Sequence, residues 1–143
     1  MNENETRKTN YAAIDIGSNA VRLLIKEIKE EQGNPHFSKV LMLRVPLRLG
    51  FDVFDIGKIS EKKEKNMIRL MKAFRHLMKI YDVKHCRACA TSAMRDAKNG
   101  MDIIKQIEKK TGVHIDIIDG QEEAKIIYNN HVEHMEDQKG NYM

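Results

Sequence analysis

The feature that most restricts the fold is a pair of apolar runs joined by a short polar turn. Tyr11-Ala12-Ala13-Ile14-Asp15-Ile16 is followed by Gly17, Ser18 and Asn19, after which residues 20–28 resume an apolar pattern. A brief apolar run ending in Gly-Ser-Asn predicts a strand entering a tight reversal. In residues 20–28, Val21, Leu23, Ile25 and Glu27 on one face alternate with Arg22, Leu24, Lys26 and Ile28 on the other. Apolar residues fill most of both faces, which predicts an interior strand. Gly33, Asn34 and Pro35 give a turn signal, and residues 37–45 supply a third strand. The chain therefore begins as an antiparallel meander.

The pattern then changes period. Residues 46–59 contain Pro46, Gly50 and Gly57, with Asp52 and Asp55 flanking Phe54, and predict a loop too long for a bare connector. Ser60, with Glu61 and Glu64 behind it, suits a helix N-terminus. Met67, Met71, Phe74, Met78 and Tyr81 follow at helical spacing. Residues 83–91 predict a fourth strand with Arg95 just past its end, then a turn over 96–100 and a helix over 101–110 closed by Gly112. Residues 113–118 predict a fifth strand, and Asp119 and Gly120 open a third helix from 121 to about 136. Residues 1–9 have the character of a solvated tail and 137–143 of a frayed end, leaving one domain over 10–136. The order β-β-β-α-β-α-β-α predicts an α/β fold: a five-stranded mixed sheet with helices on its faces, the ribonuclease-H-like arrangement.

Composition narrows the function classes. With 143 residues, 41% of them hydrophobic, the chain can bury a core without disulfides and is not a disordered or collagen-like sequence. No run of about 18 apolar residues is present, so no membrane partner is expected. The polar start lacks an apolar signal stretch, and two cysteines with nine methionines fit a reducing, cytoplasmic setting. A formal net charge of +4 is compatible with anionic ligands. Cys86 and Cys89 have zinc-like spacing, but three apart on a strand they point to opposite faces, so they are expected as buried, inert thiols. Lys62, Lys65, Arg69, Lys72, His76 and Lys79 line one side of the first helix; such a line can follow a polyanion, although a solvated charged face is the default. Alternating basic and aromatic residues are absent, so no specific nucleic-acid partner is expected. His131 and His134 share a helical face with Glu133 and Glu136 nearby, which a solvated helix end explains without a metal.

The chemistry-bearing stretch is Asp15-Ile16-Gly17-Ser18-Asn19-Ala20-Val21-Arg22. Gly17 permits close backbone approach, and successive amides in such a turn can form an anion-binding nest. The Ser18 hydroxyl and Asn19 amide add donors, and Arg22 can fork a phosphate oxygen. Asp15 ends a strand among apolar residues, where a partly buried carboxylate requires a partner.

The run AIDIGSNAVRLLI resembles the first phosphate loop of the Ppx/GppA family of exopolyphosphatases and guanosine pentaphosphate phosphohydrolases, in the actin-like ATPase superfamily. Three further stretches match in order. They are Arg44-Val45-Pro46-Leu47-Arg48-Leu49-Gly50 with Gly57-Lys58-Ile59-Ser60, Ala90-Thr91-Ser92-Ala93-Met94-Arg95-Asp96-Ala97-Lys98-Asn99, and IDIIDGQEEA over 115–124. The resemblance implies that Gly17, Ser18 and Asn19 line a phosphate site, that Arg22 and Arg95 bind substrate phosphates, and that Asp15 lies near a divalent metal, Mg²⁺, or its water shell. It also implies that Glu123, rather than Glu122, is the catalytic carboxylate acting on the attacking water. Read without the resemblance, both glutamates are also what a first helical turn favours.

The implied reaction is release of terminal phosphate from inorganic polyphosphate or guanosine pentaphosphate. A non-catalytic phosphate or nucleotide sensor and an actin-like kinase or ATPase are the alternatives. Arg22 counts against the kinase, which usually carries Thr or Ser followed by Lys or Gln on its second strand. The family's second glycine-rich loop, Asp-x-Gly-Gly-Gly-Ser, does not occur in the sequence. The expectation is therefore an N-terminal domain whose second domain is absent, binding phosphate weakly and turning over poorly by itself. Oligomeric state is left open, a homodimer of the full-length protein included.

Overall fold

The meander forms because its apolar residues alternate at the period of a strand. The computed structural model describes residues 7–119. Strands β1 (Arg7–Ile16), β2 (Val21–Glu31) and β3 (Asn34–Val45) pair antiparallel, β1 with β2 and β2 with β3. After helices α1 (Leu49–Ile56) and α2 (Glu61–Ile80), β4 (Val83–Ala90) adds parallel to β1. Helices α3 (Ser92–Asp96) and α4 (Gly100–Thr111) lead to β5 (Ile115–Ile117), parallel to β4. The sheet order is β3-β2-β1-β4-β5, the five-stranded mixed sheet expected from the sequence. The third helix expected at 121–136, with Glu122, Glu123, His131 and His134, lies outside the described residues.

One face of each central strand builds the core. Ala12, Ile14 and Ile16 of β1, Val21, Leu23 and Ile25 of β2, and Ala88 and Ala90 of β4 are buried. Met67, Ile68, Met71 and Phe74 of α2 and Ile103, Ile104 and Ile107 of α4 join them in one cluster. Burying such side chains contributes about 1.5–3 kcal/mol each. The intervening residues Tyr11, Ala13 and Asp15 are exposed.

Several boundaries move for identifiable reasons. β1 starts at Arg7, inside the stretch read as tail, because Arg7 and Lys8 pair with Glu30 and Lys29. The turn between β2 and β3 sits at Gln32 and Gly33, both at positive φ (52° and 82°), so Asn34 and Pro35 belong to β3. Two successive positive φ values suit the twist of a two-residue hairpin, and an edge strand tolerates Pro35. The segment read as a loop contains α1, and α3 follows β4 directly, placing Arg95 on a helix. β5 is shorter than expected; just before it, the Val113 amide is taken by the Thr111 hydroxyl at 3.2 Å. Cys89 is buried as expected, but Cys86 is exposed, since β4 is covered only toward its end. The six basic positions on α2 are all exposed, on a helix whose Ser60 cap accepts from the Lys63 amide.

Candidate phosphate site

Residues 17–20 reverse the chain between β1 and β2. The Gly17 amide donates inward to the Ala20 carbonyl at 3.0 Å, and a Cβ on Gly17 would sit 3.1 Å from that oxygen. Gly17 thus closes the turn, while among the described residues the Ser18 and Asn19 amides have no backbone acceptor. The loop's carbonyls are anchored from behind. Asn19 accepts from the Arg48 amide and Ser18 from the Gly50 amide, each at 2.8 Å. Arg48 takes a left-handed φ of 55° to start α1 there, and a Cβ on Gly50 would come within 2.9 Å of the Ser18 Cβ. The glycine at 50 is what lets the helix touch the loop.

The carboxyl end of β4 closes the other side. Thr91 donates its amide to the Ile16 carbonyl at 3.1 Å, and the Ser92 hydroxyl meets the Ser18 hydroxyl at 2.8 Å. Arg95 donates from Nη1 to the Ile118 carbonyl at 2.7 Å, tying α3 to the end of β5. Arg22 lies opposite Asp15 across β1 and β2, with Arg44 as its other neighbour in register. Asp15 and Arg22, at the loop ends of β1 and β2, the turn of Gly17, Ser18 and Asn19, and Arg95 on α3 thus lie at the same end of the sheet, the carboxyl end of its parallel strands, where open α/β sheets bind ligands. Asp15 is exposed rather than partly buried, because its neighbours Ile14 and Ile16 take the core side of β1. Ser92 was not singled out by sequence, although it lies within a family-like stretch. A concavity of about 410 Å³ lined by Arg75, Cys86, Arg87, Thr111 and His114 contains none of these residues.

The electrostatics beside the loop centre on Asp52. Its carboxylate accepts from the Ser60 amide at 3.0 Å and pairs with the Lys63 ammonium at 2.7 Å, while Lys63 also donates to the Arg48 carbonyl at 2.8 Å. Burial works to raise the Asp52 pKa, but Lys63 and the Ser60 donors outweigh it and hold the carboxyl below its ordinary value. A depressed folded pKa gives stability that is complete above the unfolded value of about 3.9 and is lost as pH falls through the folded one. Asp52→Asn is expected to lower stability by about 1 kcal/mol at pH 7. The gap between variant and parent should shrink below about pH 4 in thermal melts; a gap constant from pH 7 to pH 2 would contradict the assignment.

Among the described residues, no group of three His, Cys, Asp or Glu side chains could hold a metal ion. A Mg²⁺ that keeps most of its waters requires only one or two carboxylates plus substrate oxygens. Asp15, exposed at the loop, fits that lesser demand.

The profile of the Ppx/GppA phosphatase family matches residues 24–142. A bifunctional 3-dehydroquinate synthase/phosphatase of Fusobacterium nucleatum is 33% identical over 124 residues, covering 83% of this chain and 19% of that protein. Exopolyphosphatase 1 of Mycobacterium tuberculosis is 29% identical over 115 residues, covering 80% of this chain and 33% of its own. The chain thus spans a third or less of the length of these curated relatives. Among solved structures, an Aquifex aeolicus Ppx/GppA family member superposes with a TM-score of 0.74 at 29% identity, covering 82% of this chain and 37% of that one. An exopolyphosphatase from Cytophaga hutchinsonii gives 0.73 at 29% identity, covering 82% and 36%. The fold is therefore the ribonuclease-H-like fold of the actin-like ATPase superfamily.

Proposed function

The chain belongs to the Ppx/GppA phosphatase family, and from that premise we propose that it supplies the first phosphate-binding wall of a hydrolase releasing terminal phosphate from inorganic polyphosphate or guanosine pentaphosphate. The observation that supports the reading is that the turn of Gly17, Ser18 and Asn19, with the Ser18 and Asn19 amides lacking backbone acceptors among the described residues, lies at the same end of the sheet as Arg22 and the helix that bears Arg95. Hydrolysis of a phosphoanhydride requires neutralised phosphate charge and an in-line water more than covalent chemistry. The Ser18 and Asn19 amides would hold nonbridging oxygens, and Arg22 would offset their charge. Arg95 has donors left beyond the one given to Ile118. Glu123, in the segment that follows β5, would orient or deprotonate the water. Mg²⁺ near Asp15, when bound, would neutralise phosphate charge.

Phosphate release from polyphosphate, guanosine pentaphosphate and ATP tests this reading. We expect activity on one or both of the first two in the protein that carries this chain together with a second glycine-rich loop, and a fall of about 10³-fold in Glu123→Gln. ATP as the preferred substrate would favour the kinase or ATPase alternative. Unchanged activity in Glu123→Gln would remove the water-activating role. These 143 residues alone should bind phosphate weakly and turn over poorly, and robust hydrolysis by them would refute the divided site.

A further inference from the structure

We propose that Ser92 is a positioning residue for the phosphate loop: its hydroxyl donates to the Ser18 hydroxyl and so fixes the Ser18 proton toward the bound phosphate. The inference rests on the phosphate reading of the loop and adds a residue 74 positions away in sequence. The Ser18 and Ser92 oxygens lie 2.8 Å apart, and either could be the donor. Each hydroxyl has one proton and two lone pairs. An ionised phosphate oxygen carries no proton and can only accept, so a hydroxyl bound to it must spend its single proton there. That hydroxyl can then no longer donate to its partner, and the pair survives only if the partner donates in turn.

Two chains satisfy this count: Ser92 to Ser18 to phosphate, or the reverse. Packing selects the first. Ser18 belongs to the loop whose own amide and that of Asn19 lack backbone acceptors among the described residues. Its backbone carbonyl is held by Gly50, and its Cβ packs against the same glycine. Ser92 starts α3, which is fixed independently by the Arg95 amide bond to the Thr91 carbonyl and the Arg95 side-chain bond to Ile118. A rigid donor behind an anchored loop preorganises the loop hydroxyl, and chained hydrogen bonds strengthen one another.

A double-mutant cycle on the 143-residue chain tests the order, with tripolyphosphate binding followed by NMR titration. Ser18→Ala is expected to weaken binding about tenfold and Ser92→Ala about three- to fivefold. The double variant should bind like Ser18→Ala, because Ser92 acts only through Ser18. Ser92→Thr, which keeps a hydroxyl, should recover most of the affinity. Additive losses, or a larger loss from Ser92→Ala than from Ser18→Ala, would overturn the proposed direction. Binding by Ser92→Ala equal to the parent's would remove Ser92 from the site while leaving the phosphate reading intact. No tripolyphosphate binding by the parent chain would instead defeat the phosphate reading, and this inference with it. Retained amide spectra in the variants separate these outcomes from unfolding.

Discussion

Gly100→Ala is expected to lower the stability of this domain by roughly 3 kcal/mol or more, a fall in Tm on the order of 10 °C. Gly100 is buried at the start of α4, where a Cβ would lie 2.0 Å from the Met94 carbonyl oxygen and 3.0 Å from its carbon. Both atoms are backbone, so no side-chain rotation relieves the clash; α3 and α4 must separate. The corner resists that separation. Gly100 donates to the Ala97 carbonyl, Lys98 to the Gly57 carbonyl, and the Asn99 side chain brackets Ile59 with bonds of 2.9 and 2.8 Å. Moving α3 would also displace Ser92 and Arg95, so any folded fraction should bind tripolyphosphate less tightly. Gly33→Ala is the control: φ is +82° there but nothing lies within 4 Å, and the cost should be only about 1 kcal/mol. Denaturant melts of the two variants measure the contrast, and equal losses would contradict the steric argument.

The sheet was legible because burial on one side imposes a period of two. Ile14 and Ile16, Val21, Leu23 and Ile25 announce their strands, and Met67, Met71 and Phe74 announce α2 at the helical period. Helix α1 was hidden for the opposite reason. Phe51, Phe54 and Ile56 are 72%, 94% and 50% exposed, so only Leu49 is fully buried and no apolar stripe forms. Gly50, which sequence assigns to a loop, is the second residue of that helix, and its close approach to Ser18 leaves no room for a Cβ. At five residues, α3 is too short to show any period.

The candidate site was legible to the extent that its parts are local. Gly17, Ser18, Asn19 and Arg22 lie within six residues of one another, and a turn between two apolar runs exposes them. Arg95 is a candidate through the family-like stretch around it, not through its own spacing. Ser92 is invisible in the sequence because its proposed part rests on one hydrogen bond across the fold. Pairings of that kind follow from topology: β4 joins β1 in parallel, so the end of β4 arrives beside the turn that ends β1. The order of elements implies that edge, but the side-chain partners along it are set by three-dimensional packing.

The same topology separates the two arginines, and their variants are expected to fail differently. Arg22 projects from the exposed side of β2, and Arg22→Ala should weaken tripolyphosphate binding about 10- to 100-fold, the loss of a charge-assisted fork, while leaving Tm nearly unchanged. Arg22→Lys should recover little, since an ammonium keeps the charge but not the planar pair of donors. Arg95→Ala should lose comparable affinity and also stability, because Nη1 holds the Ile118 carbonyl at 2.7 Å. That bond fixes the point from which the chain departs toward Glu123, so in the active protein Arg95→Ala should depress kcat more than Arg22→Ala does. Calorimetric titrations paired with thermal melts distinguish the two. Unaltered affinity in Arg22→Ala would remove it from the phosphate site, and an unaltered Tm in Arg95→Ala would show that its bond to β5 contributes nothing to holding that edge together.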